Sequence, residues 1–196
     1  ANDSPINIHF LFNPDIIESV EDRFFSRIKF IYDSTNFSAS RSELIRLGKT
    51  IKPELDDDSA YIKGIEQFVP SFDKIQEIFA NDKKLRENTI ILVSNSTNDG
   101  VSGAINHSDY LDDFQGDSQL KAFRQAIYKF VDGIFSATPS DIAYFLGEKT
   151  NCPADLVIKE CGSLKPCVHG CDAHQNEKIF EPDQQRYCWI KADPTF

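Results

Sequence analysis

The chain has 196 residues, a formal net charge of −10 and 40% hydrophobic residues, with sixteen Phe. That is enough apolar surface for a folded core. The charge repels nucleic acid and acidic phospholipid, no Lys/Arg run exceeds Lys83-Lys84, and no apolar run approaches the roughly 20 residues of a membrane helix.

Ile6 to Phe12 is apolar and aromatic and reads as a central strand. Asn13 and Pro14 then suit an N-cap and first helical position, and Ile16, Ile17, Val20, Phe24, Ile28 and Ile31 continue at helical spacing. Ser42–Leu47 and Thr50–Leu55 are expected as two further strands, the second at an edge because of Pro53. Two amphipathic helices follow, one marked by Tyr61, Ile62, Ile65, Phe68 and Val69, the other by Phe72, Ile75, Ile78 and Phe79 with Ser71 as its cap.

Thr89–Val93 is β-branched and reads as a buried parallel strand ending in polar residues from Ser94 to Gly100. A helix opening near Asp117, a strand over Val131–Phe135, a helix from Thr138-Pro139-Ser140 to Leu146 and a last strand at Leu156–Ile158 complete the alternation. The pattern predicts an α/β three-layer sandwich with a mostly parallel central sheet over residues 5–160. Residues 161–196 lack periodicity and are expected to form a cysteine-rich extension.

Asn2, Asn36, Asn95 and Asn106 stand in N-x-S/T context, and Cys152, Cys161, Cys167, Cys171 and Cys188 crowd the last quarter. Both features point to a secreted or cell-surface glycoprotein, with the tail stapled by at least two disulfides and one cysteine left over. The absence of methionine suggests a chain that begins after processing or is excised from a longer one.

The order of an apolar strand, a long helix, two weak strands, paired helices and a strong strand ending in a polar loop resembles a von Willebrand factor A domain. The resemblance implies adhesion through a metal ion held at the carboxyl edge of the sheet. That family's Asp-x-Ser-x-Ser motif corresponds here to Asn13-Pro14-Asp15-Ile16-Ile17, its threonine to Ser59 and its second acid to Asn95, with Asp99 as a substitute. The implied metal ligands are therefore Asn13, Asp15, Ser59 and Asp99, and the implied ligand-binding rim is Asn13, Asp15, Ser59 and Asn95. Loss of two acids weakens a hard-cation site, so no cofactor is expected beyond weak Mg²⁺ or Ca²⁺.

Simpler roles compete at each position. Asn13 and Asp15 suit a helix start. Asp56 to Asp58, and Asp109, Asp112, Asp113 and Asp117, read as solvated acidic loops. Cys167, His169, Cys171 and His174 have zinc-ligand chemistry but no common finger spacing, which favours disulfides. Tyr187, Trp189 and Ile190 either shield Cys188 or form an aromatic contact surface. No G-x-S-x-G, G-x-G-x-x-G or Walker loop occurs. The expected function is a non-enzymatic extracellular adhesion or protein-binding module with little metal dependence. A metal-dependent adhesin with an altered site, or a secreted enzyme on another α/β fold, is the alternative.

Overall fold

The computed structural model describes residues 6–96, 100–101, 118–171, 173–182, 185 and 187–188. The chain divides into two compact units, Ala1–Leu11 with Ile90–Thr195, and Phe12–Thr89. Among the described residues no helix is long and apolar enough to cross a membrane.

The first unit is mixed α/β. Its four-stranded sheet has the order β1 (Ile8–Phe12), β4 (Thr89–Ser94), β5 (Gly133–Phe135), β8 (Cys167–Val168). β4 pairs parallel with β5 through Val93 and Ile134, and β5 parallel with β8 through Ile134 and Cys167. Ile91, Val93 and Ile134 are fully buried, but Ile90 on the other face of β4 is 40% exposed, so the strand expected to be buried throughout buries one face.

β1 lies beside β4, but at the edge of the sheet instead of the expected centre. It also runs against β4: Ser94 N donates to Asn7 O at 3.0 Å at one end, and Asn13 N to Asn88 O at 3.0 Å at the other. Asn7, His9 and Leu11 are exposed, and the residues between them are half-buried. Such a one-sided strand belongs at an edge and not in a doubly covered centre.

α6 (Ser118–Phe130) and α7 (Pro139–Phe145) fall where the apolar spacing puts them. Leu156–Ile158 is not a strand: α8 (Ala154–Cys161) covers it, burying Val157 and Cys161 and ending at Gly162 with φ +83°, the left-handed cap that glycine favours. A two-residue pairing of β6 (Glu148–Lys149) with β7 (Cys152–Pro153) precedes it. β8 lies within the segment expected as a tail, and Ser136 N donates to Val168 O at 2.9 Å. Backbone bonding, not cross-linking, holds this part of the extension.

The second unit is mainly helical. Asn13 caps a 3-10 turn at Pro14–Ile16, but the expected long helix stops early: one α turn, α1 (Ile17–Val20), widens into a π turn at Glu21–Phe25. A hairpin of β2 (Lys29–Tyr32) and β3 (Thr35–Ser38) follows. Asp33 and Ser34, with φ of 46° and 61°, make its two-residue turn, the backbone sense that matches strand twist. The strands expected at Ser42–Leu47 and Thr50–Leu55 are instead α2 (Arg41–Ile51) and the turn after it, because Leu44, Leu47 and Gly48 make one buried helical face.

α3 (Asp57–Gln67) packs that face, and two glycines permit the approach. A Cβ on Gly48 would stand 1.9 Å from Ala60 O, and one on Gly64 would stand 2.0 Å from Leu44 O. α4 (Phe72–Asn81) leads into α5 (Lys83–Glu87) through Asp82. Asp82 is buried, accepts from Leu85 N at 3.0 Å, and receives Arg23 Nη1 at 2.8 Å on each oxygen. Burial opposes its charge, but the Leu85 amide, Arg23 and Arg27 outweigh burial and hold the carboxyl below its ordinary value.

Both contacts can be tested by unfolding. In an open helix Gly→Ala gains up to about 1 kcal/mol, but here the Cβ meets a rigid carbonyl, so Gly64→Ala should lose about 2–3 kcal/mol net in urea denaturation. Asp82→Asn keeps the cap and loses the ion pair, costing about 1–2 kcal/mol at neutral pH. Because the folded carboxyl titrates below the ordinary 3.8, its contribution is present above that pH and disappears as pH falls through the folded value. Unfolding curves of wild type and Asp82→Asn should therefore separate at pH 7 and converge in strong acid.

Candidate functional site

Parallel pairing brings the carboxyl ends of β4, β5 and β8 to one edge of the sheet, the place where open α/β sheets bind ligands. Asn95 follows β4, Ser136 follows β5 and His169 follows β8. α6 contributes Tyr128 and the first turn of α7 contributes Asp141.

Four of these side chains form one network. Tyr128 Oη donates to Asn95 Oδ1 at 2.7 Å, Asn95 Nδ2 donates to Asp141 Oδ2 at 2.9 Å, and Ser136 Oγ donates to the same oxygen at 2.7 Å. Thr138 N donates to the Ser136 hydroxyl at 3.2 Å. Asn95 is only 4% exposed, and burial pushes the Tyr128 phenol well above its ordinary value, so it remains a donor at physiological pH. Behind β4 the chain turns back tightly: a Cβ on Gly100 would lie 2.6 Å from Ser94 O, and Val101 N donates to that oxygen at 2.9 Å.

The network ties the ends of β4 and β5 to α6 and α7. The Ser136 hydroxyl proton is directed at the Asp141 carboxyl. The Cys167 thiol in β8 is pushed up to about 12 by burial, with Asp141 and Cys188 adding to the shift. It is therefore held as the thiol at neutral pH.

The residues proposed from sequence serve local structure. Asn13 Oδ1 accepts from Asp15 N at 3.0 Å, and its Nδ2 donates to Asn88 Oδ1 at 2.9 Å. Asp15 is exposed at the first turn. Ser59 donates to Asp56 through both N and Oγ, at 2.9 and 3.0 Å, which makes Asp56 the cap of α3. Asp99 lies outside the described residues, as do Asp109, Asp112, Asp113, Asp117, Trp189 and Ile190. Asn13, Asp15 and Ser59 belong to the second unit and Asn95 to the first. Among the described residues no three His, Cys, Asp or Glu side chains converge as metal ligands, so Cys167, His169, Cys171 and His174 are not gathered in that way.

Two expectations need correction. Asn95 is not an accessible glycan acceptor, because its side chain is buried and its Nδ2 is bonded to Asp141. Of the other acceptors Asn36 is exposed, while Asn2 and Asn106 lie outside the described residues. Cys152, Cys161, Cys167, Cys171 and Cys188 are all free thiols, so no disulfide staples the tail. Burial pushes the Cys161 thiol up to about 11.

Sequence reading missed Tyr128, Ser136 and Asp141. A polar residue directly after the strongest strand, followed by a Thr-Pro-Ser-Asp helix start, was the available signal, but which polar groups meet is a tertiary fact. The chain matches no family model, no curated protein and no solved structure.

Asn95→Ala leaves Tyr128 and Asp141 short of a partner and should cost about 2–3 kcal/mol in chemical denaturation. Asn95→Asp should cost more at pH 7, because it sets a second carboxylate against Asp141. That penalty should shrink as pH falls and one of the two acids takes a proton.

Proposed function

We propose that the chain is an extracellular protein-binding module whose contact with its partner needs little or no metal. The observation that carries this reading is the outer face of α3. Ile62 and Ile65, with Val69 just past the end of the helix, are 59%, 49% and 63% exposed and recur at spacings of three and four. Ala60 and Gly64 on the other face pack against α2. Isolated exposed aliphatics are ordinary, but a stripe at helical spacing is apolar surface suited to a partner. The net charge of −10 suits a partner with a neutral or basic face.

Low metal dependence is supported by what the implied ligands already do: Asn13 caps a helical turn, Ser59 is bonded to the Asp56 cap, and Asn95 is spent in the buried network. The compartment rests on the N-x-S/T sites, Asn36 above all, and not on the cysteines, which are unbonded. Binding is favoured over catalysis because the sequence carries no G-x-S-x-G elbow, G-x-G-x-x-G turn or Walker loop. The proposal takes the sheet as the middle layer of a three-layer arrangement. It does not require membership among A domains, since β1 lies at the sheet edge and runs against β4.

Cell attachment to the immobilised protein tests this. Attachment should persist in EDTA and fall at least about tenfold for the double variant Ile62→Asp/Ile65→Asp, as expected when central aliphatic contacts are lost. Millimolar Mg²⁺ should raise Tm by less than about 2 °C. Attachment abolished by EDTA would overturn metal independence, and attachment indifferent to the double variant would remove α3 as the contact surface.

A further inference from the structure

Ile31, on β2, is the most exposed aliphatic side chain of the second unit at 65%. Its cross-strand partner in the hairpin is Asn36. With a two-residue turn at Asp33-Ser34, Tyr32 and Thr35 form the closing pair and Ile31 and Asn36 the next. In an antiparallel ladder that second pair is the one without mutual hydrogen bonds, where side chains on the same face approach most closely. The opposite face is occupied: Phe37 is buried beneath the Arg46 guanidinium at 4.0 Å, and Phe30 stacks on Phe68 with centroids 5.3 Å apart.

Asn36 itself is exposed. Arg46 Nη2 donates to its backbone carbonyl at 2.7 Å, and among the described residues its Nδ2 has no protein partner. Asn95, in the same kind of tripeptide, has that nitrogen buried and bonded.

We propose that Asn36 carries an N-linked glycan whose first N-acetylglucosamine lies across Ile31 and covers it. The inference rests on the extracellular reading, because the transfer needs a lipid-linked oligosaccharide pyrophosphate as co-reactant. Asn36 Nδ2 bonds to C1 of the sugar and loses one proton, while the C1–O bond to the pyrophosphate breaks and the lipid pyrophosphate leaves. The C–H face of a pyranose is apolar and its rim is polar, so one side of the sugar suits Ile31 and the other suits water. Joined at the adjacent cross-strand position, the sugar reaches Ile31 with little loss of freedom, and the glycan thereby pins both strands of the hairpin.

The test uses the full chain secreted from eukaryotic cells. Peptide mass spectrometry should find the glycan on Asn36. Trimming to a single N-acetylglucosamine should keep Tm unchanged, whereas complete removal or Asn36→Gln should lower it by about 2–4 °C. In an Ile31→Ser background, Asn36→Gln should leave Tm unaltered. Glycan at Asn2 or Asn106 with Asn36 bare would overturn the inference while leaving the extracellular reading standing. A chain bare at every acceptor site would take away the support of both. A Tm loss that is the same with and without Ile31 would overturn the covering of Ile31.

Discussion

The buried amide of Asn95 is the constraint on which the carboxyl edge of the sheet depends. A primary amide withdrawn from water needs partners for both ends, and leaving one unmet costs about 1–3 kcal/mol. Here the oxygen is met from α6 by Tyr128 and the nitrogen from α7 by Asp141. One side chain at the end of β4 thus fixes two helices, and Asp141 extends the restraint to Ser136 after β5. The amide can satisfy this arrangement in one orientation only, since Asp141 as a carboxylate cannot donate. At the carboxyl edge of the sheet these four polar side chains are thus bonded to one another.

How much of this was legible in the chain varies with the kind of signal. Thr89–Ser94 announced itself, because a run of β-branched residues bounded by polar ones has few other solutions. α3, α4, α6 and α7 were legible from apolar spacing. Spacing misled in the stretch from Ser42 to Leu47, where Ile45 and Leu47 alternate as in a strand while Leu44, Leu47 and Gly48 share the buried face of a helix. Ile28 and Ile31 continued a helical period by coincidence, and the turn that follows β2 uses Asp33 and Ser34 in place of the glycine or asparagine that would have marked it. The candidate site was the least legible part. Asn13, Asp15 and Ser59 have ligand chemistry, but at a helix start the nearest unsatisfied groups are backbone amides, and those claim the side chains first.

α3 shows two opposite demands on one helix. Toward α2 it is stripped of side chain at Gly64, so that backbone meets backbone. Away from α2 it carries aliphatic groups that remain exposed among the described residues. Close backbone approach holds the helix rigidly without consuming large side chains, which leaves those side chains for the outer face. A rigid presenting element limits the entropy lost when a partner docks.

The placement of Phe12–Thr89 between β1 and β4 has a consequence for how the molecule is made. At about 5–20 residues per second, the roughly 80 intervening residues take the ribosome several seconds to add. During that interval β1 has no strand to pair with, while the hairpin and helices of the second unit, built on local contacts, are already complete in sequence. The apolar strand Ile8–Phe12 is then an unpaired edge on a nascent chain until Thr89–Ser94 has been added.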